Sequence, residues 1–288
     1  LNNWSVSFPE LLEEQTKIAA ILSTIDRAIE QTEAIIAKQQ RIKTGLMQDL
    51  LTKGIDEDGN VRSETTHEFK DSLRGRIPVE WEVEHFGSRV KESAFGPRFP
   101  STAYSKQGNF ALLRTTDLDM EGNIRYKQMP LAKLPEPEFS KHVLQNKDLL
   151  ITRSGTCGVT AVFENYSLPT IPGAFSIRFR LLKNLACPTY IKDYFNWDAG
   201  RKTLLDLAEG GVQKNLRGSA INQMLFAFPT IEEQQRIVEA IESIESRINL
   251  EREALEKNKY TKTGLMQDLL TGKVRVTELL RDRAEASP

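Results

Sequence analysis

The segment Lys43-Thr44-Gly45-Leu46-Met47-Gln48-Asp49-Leu50-Leu51-Thr52 returns without a change as Lys262 to Thr271, an offset of 219 residues. A ten-residue identity at that distance marks one element used twice around an insert, not a solenoid. Carried backwards at the same offset, Glu13-Glu14-Gln15 falls on Glu232-Glu233-Gln234, Ile18 on Ile237, Ile25 on Ile244 and Ile29 on Ile248. Phe8-Pro9 and Phe228-Pro229 precede the two copies, one residue out of step. In the first copy Ile18, Leu22, Ile25, Ile29, Thr32 and Ile36 recur in alternating steps of four and three, and in the second Ile237, Ile241, Ile244, Ile248, Glu251 and Leu255 do the same. This is an a/d heptad seam with one polar place per copy. Each copy follows a proline and opens with two glutamates, which complement a helix dipole. The spacing predicts two long helices whose isoleucine seams pack on each other as a coiled coil, because pairing is the simplest way to bury one stripe repeated in two copies. The first helix should stop near Lys53-Gly54, before the turn sequence Asp56-Glu57-Asp58-Gly59-Asn60. A continuous helix over residues 13–52 would measure about 60 Å at 1.5 Å per residue.

Between the helices the pattern changes. Short apolar runs bounded by Gly and Pro, such as Phe110-Ala111-Leu112-Leu113-Arg114, Asp148-Leu149-Leu150-Ile151-Thr152 and Phe175-Ser176-Ile177-Arg178-Phe179-Arg180, read as strands. Helical stretches are expected around Tyr190 to Glu209. The organisation expected is therefore a helix over residues 1–60, a mixed α/β domain over 61–227, and a second helix with a C-terminal tail over 228–288. As a fold class this is α+β.

The length of 288 residues suits about two domains. Hydrophobic residues make up 39% and charged residues 27%, with 39 Lys+Arg against 40 Asp+Glu. That balance excludes a chain that is mainly disordered. The apolar runs fall far short of the roughly 20 residues of a membrane helix. Two cysteines, Cys157 and Cys187, and no basic-then-apolar leader make a reducing, cytoplasmic setting the expectation. The chain starts at Leu1, and Asn2 to Phe8 reads like the end of a strand region, so a fragment of a longer chain is expected. Net charge follows the domain boundaries: −4 over residues 1–60, +5 over 61–227 and −2 over 228–288. A basic insert between acidic helices points weakly to an anionic partner.

Signals for catalysis are sparse. His67, His85 and His142 are scattered and the cysteines lack paired spacing, which argues against zinc. Glu68-Phe69-Lys70 with Asp58 upstream loosely imitates a Mg²⁺-holding nuclease triplet, but it falls in an expected linker. Arg153-Ser154-Gly155-Thr156-Cys157-Gly158 has the glycines of a phosphate loop without its Lys-Ser/Thr ending, and reads better as a tight turn after a strand. No Ser or Cys nucleophile has an obvious base, and no glycine-rich cofactor loop or Asp/Asn-Pro-Pro-Tyr/Phe segment of an adenine methyltransferase is present. The chain is expected to be no enzyme.

Four further segments carry a resemblance. Gly75-Arg76-Ile77-Pro78-Val79-Glu80-Trp81-Glu82, Lys147-Asp148-Leu149-Leu150-Ile151-Thr152-Arg153-Ser154-Gly155-Thr156-Cys157-Gly158, Gly210-Gly211-Val212-Gln213-Lys214-Asn215-Leu216, and Phe228-Pro229 with Glu233-Gln234-Gln235-Arg236-Ile237 stand in this order, with the helix repeated. Together they resemble the specificity (S) subunit of type I restriction-modification systems, and most closely its C-terminal half: one target-recognition domain with both long helices. A natural half-size subunit that pairs with itself has the same layout. One departure from the family pattern is Asn146-Lys147, where a glycine precedes the aspartate; the turn should be altered but kept.

The resemblance implies a reader of one half of a split DNA site, inserting loops into the major groove, with the two helices pairing antiparallel as a rigid spacer that docks the methyltransferase subunits. Double-stranded DNA, those subunits and the restriction/translocase subunit are the implied partners, and S-adenosylmethionine, ATP and Mg²⁺ would belong to the partner subunits. The candidate DNA-contacting residues are Arg98, Lys106, Arg114, Thr116, Arg125, Gln213, Lys214, Asn215 and Arg217, polar groups in Gly- or Pro-flanked loops or at strand ends. Exposed helix charges such as Arg27, Lys38, Arg247 and Lys257 are read as solubilising. The competing reading is a non-enzymatic coiled-coil scaffold whose globular domain binds protein.

Overall fold

The computed structural model describes residues 8–211 and 214–277. Two helices of almost equal length bracket the chain: α1 covers Leu12–Thr52 and α6 covers Ile231–Leu270. The chain divides into two compact units, one of residues 1–46 with 241–288 and one of residues 47–240, so each helix contributes to both.

In the first unit the helices run antiparallel. Ion pairs join Lys43 to Glu245 at 2.5 Å, Glu33 to Lys259 at 3.2 Å, Asp26 to Lys262 at 2.6 Å and Glu14 to Arg275 at 2.7 Å, so position falls on one strand of the pair as it rises on the other. The first three, whose partners are all partly exposed, contribute about 0–1 kcal/mol each and fix register more than stability, whereas the Glu14 carboxylate is buried. The seam supplies the core. Ile18, Ile36, Ile241 and Ile248 are buried, while Leu22, Ile25, Ile29, Ile244 and Leu255 are half-covered. Partial cover is what two helices can give, since each seam residue has a neighbour on one side only. Ile18 also packs with Leu269 and Val276, flanked by Ile21, Leu22 and Leu265. Ile237, expected in the same seam, is fully buried but belongs to the second unit.

The second unit holds the mixed α/β domain. β1 (Phe69–Ser72) and β2 (Gly75–Pro78) form a hairpin, and β3 (Glu82–His85) pairs with β11 (Leu225–Phe228). A four-stranded sheet has the order β4 (Val90–Phe95), β10 (Ser176–Leu181), β7 (Leu149–Thr152), β8 (Thr160–Val162), all antiparallel. A three-stranded sheet sets β5 (Phe110–Leu113) between β6 (Leu131–Ala132) and β9 (Thr170–Pro172), the β5–β9 pair being parallel. Helices α2 (Glu136–Phe139), α3 (Pro188–Asn196), α4 (Asp198–Asp206) and α5 (Gly218–Gln223) complete it. β5 and β7 are buried at every position, which explains why they read as continuous apolar runs without alternation. Phe86 meets Phe179, Phe195 and Phe226 with ring centroids 5.7–6.1 Å apart, and Phe226 meets Phe228 at 4.5 Å. Each buried phenylalanine contributes about 1.5–3 kcal/mol of transfer free energy. This aromatic centre anchors β11 at the point where the domain returns to α6.

The exit of α1 is fixed by a buried carboxylate. Glu233, in the first turn of α6, accepts hydrogen bonds from the Ile55 amide at 3.0 Å, from Trp81 Nε1 at 3.2 Å and from both terminal nitrogens of Arg62. The chain reaches it through Gly54, whose φ of +70° and an ideal Cβ only 2.0 Å from Glu233 Oε1 exclude any side chain. The turn before β7 is kept without its glycine: Lys147 takes φ +70°, the one such non-glycine among the described residues, and its ammonium pairs with Glu164 at 2.6 Å.

Candidate nucleic-acid interface

The antiparallel order of β4, β10 and β7 brings the end of β4, the start of β10 and the end of β7 to one edge of the sheet. Phe95, Phe175 and Arg153 occupy that edge, and both phenylalanines are exposed. Arg153 is held from several sides. Its amide donates to Phe175 O at 2.8 Å, its carbonyl accepts from the Leu216 amide at 2.9 Å, its Nε donates to Asn215 Oδ1 at 3.1 Å, and its guanidinium lies 4.4 Å from the centroid of the Phe95 ring. Nη1 and Nη2 have no hydrogen-bond partner among the described residues. A guanidinium fork braced on an aromatic face and open at its tip is the donor geometry that takes a guanine O6/N7 edge or a phosphate.

The turn after Arg153 joins β7 to β8 as a hairpin, with positive φ at Gly155 (+73°) and Gly158 (+84°). Thr152 Oγ1 donates to Thr156 O and accepts from the Val159 amide at 2.9 Å, which ties the turn to its strand. No helix follows, so the run is a strand-to-strand turn and not a phosphate loop. Burial within it pushes the Cys157 thiol above its ordinary range, away from reactivity.

Around this edge the candidate residues sort themselves. Asn215 pairs backbone to backbone with Glu209, at 2.8 and 3.0 Å, and so closes a loop that carries Lys214 at its exposed rim. Arg217, beside it, forms an exposed ion pair with Glu209 at 2.5 Å. Gln213 lies outside the described residues. Arg125 and Thr116 are exposed, and Arg125 lines an open cavity of about 350 Å³ with Thr115, Asp119, Glu121 and Thr156. Thr156 belongs to the turn that Arg153 starts, so these two groups share one surface. Arg114 is differently employed. Its Nε and Nη2 clasp Asp117 at 3.0 and 2.7 Å, hydrogen bonds that raise its pKa, and Nη2 reaches Gln128 O at 3.2 Å, which closes the turn after β5. Lys106 is exposed in the turn entering β5, whereas Arg114 follows its end, so the strand separates them. Arg98 is exposed in the segment after β4, which Gly96 pins by its amide to Ser176 O at 3.2 Å.

Arg153, Phe95 and Phe175 were not among the candidates. Arg153 stood in a recognised segment but read as part of its turn. The phenylalanines carried a fainter signal, an aromatic beside a Gly or Ala at the limit of an apolar run. Among the described residues, no group of three or more His, Cys, Asp or Glu is placed to hold a metal ion, and no helix is long and apolar enough to cross a membrane.

A mixed α/β domain framed in sequence by two copies of one long helix defines the class of protein by its layout. Residues 78–258, more than half of the chain, match the family of type I restriction modification DNA specificity domains, and the chain belongs to that family. It is 27% identical over 280 residues to the type I restriction enzyme MjaVIII specificity subunit of Methanocaldococcus jannaschii, a match that covers 93% of this chain and 62% of the relative. It is 28% identical over 131 residues to the type I restriction enzyme EcoKI specificity subunit of Escherichia coli, covering 43% of this chain and 28% of that protein. The fold is similar to that of the HsdS subunit from Thermoanaerobacter tengcongensis, with a TM-score of 0.58 at 18% identity over 91% of this chain and 59% of the other. The S subunit from M. genitalium gives 0.52 at 13% identity over 91% and 62%. The chain thus spans about three fifths of the MjaVIII subunit.

Proposed function

We propose that the chain is the part of a type I specificity subunit that reads one half of a split DNA target. The observation that supports this reading is the match of residues 78–258, most of the recognition domain and much of α6, to the DNA specificity family. The edge built by Arg153, Phe95 and Phe175, with Lys214 and Arg217 nearby and Arg125 and Thr116 on the adjoining surface, offers donors for base edges and phosphates. α1 and α6 act as the spacer on which methyltransferase subunits dock, and a restriction/translocase subunit joins that assembly. The chain supplies the address and performs no chemistry. S-adenosylmethionine, ATP and Mg²⁺ belong to the partner subunits, and the assembly works in the cytoplasm.

The test is a selection from random duplex DNA by the chain reconstituted with its methyltransferase subunit at moderate salt. One short fixed motif is expected, bound more weakly as salt rises. Two motifs at constant spacing would make the active form a self-paired half-size subunit. Retention without sequence preference would overturn the reading and favour the protein-binding scaffold.

A further inference from the structure

The sheet edge that carries Arg153 offers an apolar group beside its donors. The β10–β7 ladder ends on the pair Ser176 and Thr152, and one further bond, from the Arg153 amide to Phe175 O at 2.8 Å, sets Phe175 across from Arg153. On the other side of β10, Phe95 pairs with Ile177, two positions along from Phe175. Residues opposite each other in an antiparallel pair have Cβ atoms about 4.5–5.5 Å apart, and alternate residues of one strand share a face. The three side chains are thus gathered where the buried row of Ile151 and Ile177 gives way to solvent.

The two phenylalanines are differently employed. Phe95 carries the Arg153 guanidinium on its ring, 4.4 Å from the centroid, so its apolar face is taken up within the chain. Phe175 is 59% exposed and has no ring or cation partner among the described residues. A lone exposed phenylalanine is ordinary. This one stands beside a guanidinium fixed at Nε by Asn215 and open at Nη1 and Nη2, and the two together match a ligand that sets a pair of acceptors next to an apolar group. The major groove of DNA presents that combination in one way. The paired acceptors of a single base are the O6 and N7 of guanine, and the apolar group is the C5-methyl of thymine. Successive nucleotides rise about 3.4 Å, so the edges of neighbouring base pairs fall within the span of two side chains on opposite strands.

We infer, on the reading of this chain as a DNA half-site reader, that the edge recognises a guanine with a thymine in the neighbouring base pair. Nη1 and Nη2 of Arg153 donate to guanine O6 and N7, and Phe175 packs on the thymine methyl. Phe95 touches neither base and is a positioning residue for the fork. Lys214, next to Asn215, and Arg98, three residues past Phe95, are exposed cations for the flanking phosphates. The minor groove lacks the methyl group, and so gives Phe175 no partner of this kind.

The test uses the chain reconstituted with its methyltransferase subunit and duplexes carrying the motif recovered from random DNA. Each thymine is replaced singly by deoxyuridine, which removes the methyl and keeps every hydrogen-bonding group, and each guanine by 7-deazaguanine, which removes N7. At one thymine, beside a guanine that 7-deazaguanine also disables, uracil should weaken binding about fourfold, the worth of one buried methyl-sized group. Phe175→Ala should bind the thymine and uracil duplexes equally, and Phe175→Leu should keep part of the preference. Phe95→Ala should reduce the response to 7-deazaguanine and keep the response to uracil. Both phenylalanines are exposed, so melting should be unchanged in these variants, and the base analogues leave the protein untouched. A motif with no thymine beside a guanine overturns the inference and leaves the half-site reading in place. So does tolerance of uracil at every thymine, or a full uracil penalty in Phe175→Ala. A bend in the bound DNA that is lost in Phe175→Ala, without any uracil effect, also overturns it and makes the ring a wedge between bases. Recovery of no motif overturns the half-site reading and this inference with it.

Discussion

The ten residues from Lys43 to Thr52 and the ten from Lys262 to Thr271 are identical, yet they have different fates. Leu50 and Leu51 are both buried, whereas of their counterparts Leu269 is buried and Leu270 is half in solvent. The helix is a local consequence of sequence in both copies, and one leucine of each pair is covered in either setting. What differs is the company. Leu51 belongs to the unit that contains the recognition domain, and Leu270 to the unit that does not. Identical sequence therefore specifies an element and its inner face, while the outer face acquires its role from whatever domain is packed there.

The largest test of that contrast lies in the two glutamates. Glu233→Ala leaves the Arg62 guanidinium, the Trp81 indole and the Ile55 amide buried without their acceptor, and loss of one partner from a buried charged network costs about 3–5 kcal/mol. Glu14→Ala should cost clearly less, because the Arg275 side chain is 56% exposed and water replaces the acceptor. Urea unfolding of the two variants checks this, and equal losses would show that the exposure of Arg275 makes no difference to the cost of removing its acceptor. The leucines give the next largest effect. Leu51→Ala should lose about 2–5 kcal/mol and Leu270→Ala under about 1 kcal/mol, although the same atoms are deleted from the same decapeptide. A similar melting shift in both variants would mean that Leu270 is covered in solution.

A second contrast lies inside the recognition domain, between two arginines at strand ends. Arg153 keeps Nη1 and Nη2 free, whereas Arg114 spends its donors on Asp117 and Gln128. Arg153→Ala in the reconstituted complex should weaken specific DNA binding by about 1–3 kcal/mol and relax the preference at one base, with little change in melting. Arg114→Ala should do the reverse, lowering the melting temperature and leaving the selected motif intact. A relaxed motif in the Arg114 variant with an unchanged one in the Arg153 variant would exchange their roles.

These contrasts show why some of the molecule was legible in the sequence and some was not. The helices, their seam and strands such as Phe110–Leu113, Leu149–Thr152 and Ser176–Leu181 follow from periodicity and from apolar runs, which are local signals. The antiparallel sense of the helices came with the family resemblance, since a heptad pattern is the same read in either direction. The Asn146-Lys147 turn was foreseen as altered but kept, and Lys147 in the left-handed region shows how, at about 1–2 kcal/mol of backbone strain. Residues defined by long-range neighbours were out of reach. Arg153 takes its place from Phe95, Phe175 and Asn215, up to 62 positions away, and nothing local distinguishes it from Arg114. Ile237 kept its period but changed units, because the seam outlasts the stretch in which the two helices form their own compact body.

The smallest expected effect is one of pH, and it again separates the two ends of the repeat. The Arg275 hydrogen bonds beside Glu14 hold its carboxyl below the ordinary value of 4.5, with burial opposing them and the Val276 amide and the Arg275 charge assisting. Glu10 is the other acidic group that acts on Arg275. A carboxyl with a lowered pKa in the folded chain contributes stability that is complete above its unfolded value and is lost as pH falls through the folded one. The exit of α6 should therefore hold unchanged from pH 7 to about 4.5 and loosen below it, read as faster intrinsic-rate-corrected exchange of the Val276 amide. Glu14→Gln keeps an acceptor and removes the titration, so its Val276 amide should exchange at a rate that does not respond to acid in that window. An equal acid response in the variant would assign the loosening to Glu10 or to general unfolding, and the clamp at Glu14 would then be a packing contact whose charge has no part in holding the helix end.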